Sequence, residues 1–198
     1  MKEKVRSGYE AGDYEGEKRS TREVREHEKE LLEKMESMAQ GEKVLDLGCG
    51  TGEPFDRYLV DRGFDITGVD LVSKHISSAR ENVPEGDFQQ GDFFSVQENG
   101  FDAVVSFYAI FHLEREKHSD LFEFIYEKLS EDGVMLVTVG GGDMEKHESE
   151  FAGSELVWSS YSPEKNKEII TNAGFRIVET YEEKNEEEHH YWVLAEKA

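Results

Sequence analysis

Short apolar segments alternate with helix-forming segments along the middle of the chain. The segments 43–47, 64–70, 88–90, 101–107 and 133–139 have the composition of strands, and charged or amphipathic segments of helical length separate most of them. Neighbouring parallel strands need a crossover between them, which is usually a helix. The alternation therefore predicts an α/β fold with a mostly parallel sheet and helices on both faces.

The two ends of the chain do not follow this alternation. Residues 1–20 place glycines among charged side chains and predict an irregular arm, whereas residues 20–40 are rich in helix formers with an apolar stripe and predict one amphipathic helix. Residues 174–181 and 189–195 are strand-like runs whose connection is too short for a crossover helix. We therefore expect these two runs to pair as an antiparallel hairpin.

A polar, glycine-containing segment at 140–162 is a candidate lid. We interpret residues 1–198 as a single domain. In it, the arm and first helix (1–40) precede a core (43–139), the candidate lid, and a C-terminal helix and hairpin (163–198).

The charge balance restricts the partners of the chain. Lys and Arg number 23 against 45 Asp and Glu, which gives a formal net charge of −22. Nucleic acids and anionic membranes are disfavoured, because both are bound through clusters of basic residues. The apolar segments are shorter than the ~20 residues of a membrane-spanning helix, the N-terminus does not resemble a secretory signal, and Cys49 is the single cysteine. These features predict a cytoplasmic protein, and the charge suggests a salt-rich cytoplasm.

The most informative motif is the segment Val44-Leu-Asp-Leu-Gly-Cys-Gly-Thr-Gly52, at a strand-to-helix turn. Glycines at such a turn let the backbone approach a ligand closely, next to the N–H groups of the following helix. A dinucleotide fingerprint needs a third small residue where this chain has Glu53, whose carboxylate would meet the pyrophosphate. Hydride transfer with NAD is therefore disfavoured.

The pattern Asp46-x-Gly-x-Gly-x-Gly52 resembles motif I of the class I S-adenosylmethionine-dependent methyltransferases. Later segments resemble the other motifs of this family in order: Gly68-Val-Asp70, Gln90-Gly-Asp92-Phe93, Phe101 to Phe107, Lys128 to Val137, and Ala173-Gly-Phe175. The resemblance covers roughly residues 43–198. It implies a Rossmann-like seven-stranded sheet of order 3-2-1-4-5-7-6 with the last strand antiparallel. It also implies S-adenosylmethionine as cofactor and S-adenosylhomocysteine as its product.

The resemblance also implies a set of cofactor-binding residues. Gly48, Cys49, Gly50 and Gly52 would surround the methionine part, and Asp46 would pair with its ammonium group. Asp70, followed by Leu71, would bind the ribose hydroxyls, and Asp92 and Phe93 the adenine. Phe107 would lie near the transferable methyl group, and Tyr14 would cover the cofactor. The alternative for each of the three aspartates is a hydrogen bond to local backbone, and for Cys49 a packing role.

The sequence defines the residues that would bind the methyl acceptor less clearly. In the segment Phe107-Tyr-Ala-Ile-Phe-His112, the resemblance makes His112 a candidate general base with a pKa near neutrality. The alternative is a structural histidine bonded to backbone. Tyr9, Phe111, Trp158 and Tyr161 are candidate acceptor-site residues, with plain packing as their alternative.

The sequence does not support metal-dependent chemistry. No metal site is predicted, because His189 and His190 point to opposite faces of a strand and the other histidines lack ligand spacing. The glutamates at 182, 183 and 186–188 are interpreted as a solvated hairpin tip. We predict methyl transfer to a neutral or cationic small molecule. The alternatives are a non-catalytic S-adenosylmethionine-binding regulator, a synthase that uses the same cofactor, and an NAD-dependent oxidoreductase. The choice between a monomer and a homodimer stays open.

Overall fold

The computed structural model describes residues 1–12, 22–185 and 188–198. The strands of this part of the chain are β1 (Lys43–Leu47), β2 (Asp65–Asp70), β3 (Asp87–Gln90), β4 (Phe101–Ser106), β5 (Leu129–Gly140), β6 (Met144–Phe151), β7 (Ser154–Ser160), β8 (Phe175–Lys184) and β9 (His189–Lys197). The α-helices are α1 (Lys2–Ala11), α2 (Glu26–Met38), α3 (Phe55–Val60), α4 (Ser73–Asn82), α5 (His118–Lys128) and α6 (Pro163–Asn172). Short 3₁₀ turns cover Phe93–Ser95, Ile110–His112 and Arg115–Lys117.

Seven strands form the main sheet, in the order β3-β2-β1-β4-β5-β9-β8. Strand β9 runs antiparallel to both of its neighbours, β5 and β8. The predicted fold is confirmed, and the order 3-2-1-4-5-7-6 holds when the strands of this sheet alone are counted. The numbers shift along the whole chain because β6 and β7 pair with each other in a separate two-stranded sheet.

Helices cover both faces of the sheet, as predicted. On one face, α5 and α6 bury side chains such as Phe122 and Ile170 against the strands. On the other, α2, α3 and α4 bury side chains such as Leu32 and Leu59. Strand β4 contributes to both layers, with Val104 on the first face and Val105 on the second. This explains the near-continuous apolar sequence of β4, because a strand covered on both sides has no solvent face.

The expected irregular arm is wrong for its first half, because residues 2–11 form α1. Val5 and Gly8 are the buried residues of this helix. A Cβ atom on Gly8 would lie 2.4 Å from Leu156 Cδ2 and 2.9 Å from the Glu155 carbonyl, so α1 packs closely on β7. Glycine has low helix propensity, and tertiary packing on β7 outweighs it.

The candidate lid also has regular structure, the β6–β7 hairpin. The side chains of β6 are exposed almost throughout, so its sequence lacks the alternation that marks a half-buried strand. The predicted helix at 20–40 is shorter in the structure, where it becomes α2. Among the described residues, no helix has both the length and the apolar character needed to cross a membrane.

Candidate functional site

A cavity of about 550 Å³ opens at the carboxyl ends of the central strands. In open α/β sheets, ligands bind at this edge, where the strand order reverses. The wall contains the segments that follow β1, β2, β4 and β5, together with α1 and the β6–β7 hairpin. Among the sequence-predicted residues, those lining it are Tyr9, Asp46, Gly48, Cys49, Gly50, Gly52, Asp70, Leu71, Phe93, Phe107, Phe111, His112 and Trp158.

The glycine loop between β1 and α3 turns its backbone toward this cavity. Gly50 has a φ of +55°, and a Cβ atom placed on it would meet no atom of the described residues within 4 Å. Gly48 has a φ of +91°, and a Cβ atom there would lie 2.4 Å from Ala109 Cβ. Gly48 is therefore required for packing, whereas Gly50 leaves open space that a ligand can occupy.

Asp46 lies at the base of the cavity and is 3% exposed. Its Oδ1 accepts no hydrogen bond from a donor among the described residues, and the carboxyl group lies within hydrogen-bonding reach of Asp56 in α3. Burial, with the charge of Asp70 adding to it, raises the pKa of Asp46 to about 7. A buried acceptor without a donor is costly, which fits a site for a cationic group of a ligand.

Asp70, at the end of β2, holds the glycine loop in place. Its Oδ2 accepts the Gly50 backbone N–H at 3.0 Å, and its Oδ1 accepts the Val72 N–H at 2.9 Å. The local-backbone alternative is thus present in the structure. Each carboxylate oxygen can accept a second hydrogen bond, so these contacts leave room for hydroxyl donors from the cavity.

The structure places Asp92 differently from the adenine-binding expectation. Asp92 caps the 3₁₀ turn after β3, with Oδ1 accepting the Phe94 N–H at 3.0 Å, and Oδ2 lies 2.7 Å from Lys2 Nζ in α1. It is not among the described residues that line the cavity. The neighbouring Phe93 and Leu71 do line it, so the apolar part of the predicted adenine site faces the cavity.

Tyr9 and His112 form a hydrogen-bonded pair on the cavity wall. The His112 Nδ1 lies 2.9 Å from the Val157 carbonyl oxygen, which can only accept, so Nδ1 carries the proton. Burial lowers the pKa of His112 to about 4 despite this contact, so the ring is neutral near pH 7 and Nε2 is an acceptor. The Tyr9 hydroxyl therefore donates to Nε2, at 2.8 Å.

The low pKa corrects the expectation that His112 titrates near neutrality. Its Nδ1 is bonded to backbone, as in the structural alternative, yet its Nε2 binds a second cavity residue. Tyr9 also contacts His75 edge-on, with ring centroids 5.4 Å apart. The ring of Trp158 lies 5.6 Å from that of His112. These rings enclose the Tyr9–His112 pair on several sides.

One predicted acceptor-site residue does not join this group. Tyr161 packs away from the described cavity lining, with its ring 6.0 Å from His118 and 5.0 Å from the Arg115 guanidinium. Tyr14 lies outside the described residues. The aromatic wall instead includes Tyr108 and Phe151, which the sequence did not single out.

A buried ionic network, which includes Arg22 and Tyr108, forms part of the cavity wall. Glu28 in α2 is fully buried, and both of its oxygens accept from Arg22 at 2.6 Å. The Tyr108 hydroxyl donates to Glu28 Oε1 at 2.7 Å and lies 3.3 Å from Glu183 Oε2. Tyr108 has a φ of +56°, a conformation that costs an aromatic residue energy and that aims its ring into this network.

The interpretation of the hairpin glutamates as a solvated tip is wrong for Glu183, which is 8% exposed. Burial alone would raise its pKa, but His190, Arg25 and Trp192 together outweigh burial and lower the pKa to about 2. Glu183, Glu188 and His190 also place possible metal-ligand atoms within 4.8 Å of one another. Glu183 is already paired with Arg25, so this cluster has a cation partner without a metal. Glu186 and Glu187 lie outside the described residues.

Sequence reasoning missed several residues that line the cavity, among them Arg22, Asp56, His75, Tyr108 and His147. A signal existed for Asp56, because it lies in the first turn of the helix that follows the glycine loop. No signal existed for His147, whose exposed strand is not recognisable in the sequence.

Comparisons with known proteins agree with this geometry. Residues 44–133 match a family described as a methyltransferase domain. An uncharacterized methyltransferase of Staphylococcus carnosus is 29% identical over 136 residues, which are 68% of this chain and 64% of that protein. The carboxy-S-adenosyl-L-methionine synthase of Campylobacter hominis is 27% identical over 171 residues, 72% of this chain and 73% of that protein. The chain thus spans about two thirds to three quarters of these relatives.

A solved structure shows the same fold over the full chain. Magnesium protoporphyrin IX methyltransferase from Synechocystis PCC 6803, crystallised with bound S-adenosylmethionine, superposes with a TM-score of 0.76 at 15% identity. The match covers 100% of this chain and 97% of that one.

Proposed function

We propose that the chain, which resembles the class I S-adenosylmethionine-dependent methyltransferases and contains a match to a methyltransferase domain, transfers a methyl group in line from S-adenosylmethionine to a neutral or cationic small molecule. The observation that carries this proposal is one cavity that holds both the open glycine loop with Asp46 and the Tyr9–His112 pair. The first set suits the cofactor and the second suits an acceptor.

The residues of the glycine-loop side fit the cofactor. Asp46 offers a buried oxygen that has no donor among the described residues, and those residues leave open space above the Gly50 backbone. Asp70 would accept ribose hydroxyls while it holds the loop, and Leu71 and Phe93 would pack on the adenine. Gly48 and Cys49 would complete the loop around the methionine part, and Phe107 would lie near the methyl group.

When bound, S-adenosylmethionine supplies a methyl group that is already activated by the positive sulfur, so alignment and exclusion of water matter more than a strong base. Tyr9 would supply alignment. A hydroxyl oxygen can accept as well as donate, so Tyr9, whose proton is donated to His112 Nε2, would accept an N–H or O–H of the acceptor. Tyr9 is then the catalytic residue, and His112 is a positioning residue that fixes the direction of the Tyr9 hydroxyl.

The charges of the cavity favour a neutral or cationic acceptor. Arg22 and Arg25 line the cavity, but Glu28 and Glu183 neutralise them. Among the described residues, Glu53 lines the cavity without such an arginine or lysine partner, and Asp70 has only His75 Nδ1 nearby, at 3.4 Å. The aromatic wall adds ring faces, which attract cations. An amine that reacts in its neutral form, with an N–H toward Tyr9, and that takes the positive charge from sulfur as its nitrogen is methylated fits both features, whereas a polyanion fits neither.

The experiment measures S-adenosylhomocysteine formation by mass spectrometry with a panel of small amines, phenols and carboxylic acids. We expect turnover with a member of the amine group, and methylated product in equal amount. Tyr9→Phe should lower kcat at least about tenfold while the Kd for S-adenosylhomocysteine stays unchanged. His112→Gln, whose amide oxygen can accept from Tyr9, should retain more activity than His112→Ala.

Other outcomes identify the alternatives. Cofactor binding without turnover on a broad panel would favour a regulator. A product that carries a group other than methyl would favour a synthase, a possibility raised by the Campylobacter hominis relative. Tight binding of NAD without binding of either S-adenosyl compound would contradict the proposal. Tyr126→Phe, which changes a tyrosine outside the described cavity lining, serves as the matched control.

A further inference from the structure

Asp56 is a second buried carboxyl group beside Asp46. It lies in the first turn of α3, is 1% exposed, and lines the cavity. Neither of its oxygens accepts a hydrogen bond from a donor among the described residues, and its carboxyl group lies within hydrogen-bonding reach of Asp46. Two acidic side chains thus share one water-poor corner of the cavity, and the family resemblance assigns a role to Asp46 alone.

Two carboxylates in such a place cannot both be ionised without a cation, because burial and mutual repulsion disfavour the second charge. Burial raises the pKa of Asp56 well above its ordinary value, and the charge of Asp46 adds to this effect. Other titratable or charged groups that line the cavity include Asp70 from β2, His75 from α4, whose Nδ1 lies 3.4 Å from Asp70 Oδ1, Cys49 and Glu53 from the glycine loop, and Arg22 ahead of α2. Asp70 repels a second charge, and Arg22 is already bonded twice to Glu28.

We propose that Asp56 and Asp46 together form a two-carboxyl site for the ammonium group of the cofactor, and that the proton shared by the pair leaves when the ammonium binds. The ammonium keeps its three protons and donates one N–H to each carboxylate. The shared proton passes to the solvent buffer, so atoms and charge balance. This inference rests on the proposed position of the methionine part of the cofactor beside Asp46.

The site has two consequences. Binding of a ligand with the ammonium group is linked to proton release, so its Kd should fall as the pH rises, by up to about tenfold per pH unit for each proton released. A ligand with the same nucleoside but no amino-acid part should bind without this linkage. Asp56 would thereby select the amino-acid end of the cofactor, whereas Asp70 would select its ribose.

The test is calorimetry of the wild-type protein with S-adenosylhomocysteine at pH 7, in two buffers that differ in ionisation enthalpy. The dependence of the observed heat on the buffer gives the number of protons exchanged. We expect a net proton release with S-adenosylhomocysteine and none with 5′-methylthioadenosine, which lacks the amino-acid part. This comparison needs no variant, so it does not depend on how a substitution folds.

Asp56→Asn keeps the shape of the side chain and removes the shared proton. We expect it to release fewer protons than the wild type and to bind S-adenosylhomocysteine more weakly, while its Kd for 5′-methylthioadenosine is unchanged. Asp61→Asn, at the exposed end of the same helix, should behave as the wild type. Equal proton release by the Asp56→Asn variant and the wild type, or no release by the wild type, would overturn the inference. Failure of the wild type to bind S-adenosylhomocysteine at all would instead contradict the proposed function.

Discussion

Replacing Gly50 with alanine separates the structural task of the glycine loop from its ligand-binding task. Gly50 has a positive φ, and an alanine there pays about 1–2 kcal/mol for the left-handed conformation. Its methyl group meets no atom within 4 Å in the part of the chain that the structure describes, so packing there adds no penalty to this cost. The free energy of unfolding should fall by about 1–2 kcal/mol. The methyl group, however, occupies the space proposed for the cofactor, and the Kd for S-adenosylhomocysteine should rise at least about tenfold.

Gly48→Ala is the matched control, because it shares the positive φ and differs in its surroundings. Its Cβ atom would lie 2.4 Å from Ala109 Cβ, and overpacking adds about 1–3 kcal/mol to the conformational cost. The expected loss of stability is therefore about 2–5 kcal/mol.

Urea denaturation gives the stability of both variants, and calorimetry gives their affinity for S-adenosylhomocysteine. The reasoning is refuted if Gly50→Ala binds as tightly as the wild type, since the open space would then lie away from the ligand. Equal stability losses in the two variants would refute the packing argument alone.

Three further predictions concern stability. Tyr108→Phe removes one donor to buried Glu28 and should cost about 1.5–3 kcal/mol in urea denaturation. Tyr126→Phe, whose lost hydrogen bond to the Ala198 carbonyl is exposed, should cost less than about 0.5 kcal/mol, and equal costs would contradict the network. The pKa of Glu183 is lowered to about 2, so its stabilising effect is complete above its ordinary pKa and is lost as the pH falls from about 4.5 toward 2. The melting temperature of Glu183→Gln should therefore fall less steeply than that of the wild type over this range, and parallel curves would argue against the lowered pKa. The net charge of −22 predicts a melting temperature that rises in molar KCl. A melting temperature that stays constant or falls with KCl concentration would contradict the hypothesis of a salt-rich cytoplasm.

The central sheet was predictable because its information is local in the sequence. Strands such as 43–47 and 101–106 are apolar where both faces are covered, and glycines mark the turn that follows 43–47. The positions of Asp46 and Asp70 at strand ends follow from the same pattern. Their presence in one cavity follows from the parallel order of β1 and β2.

The remaining parts depend on contacts between distant residues. Helix α1 contains a buried glycine that is favourable only against β7. Asp92 has the expected position in the chain, but Lys2 from α1 takes one of its oxygens. The contact between Asp46 and Asp56 depends on the angle between β1 and α3. The spacing of the two residues in the sequence does not determine that angle.

The close approach of α1 to β7 at Gly8 has a consequence for the proposed acceptor site. Tyr9 and His112 are 103 positions apart in the chain, and Tyr9 reaches His112 from a helix that rests on β7. A helix that lifts away from β7 carries the Tyr9 hydroxyl with it and leaves His112 Nε2 without this donor. The proposed acceptor site is thus complete only while α1 rests on β7. Because Gly8 has no Cβ atom, α1 can pack closely enough on β7 to hold Tyr9 beside His112.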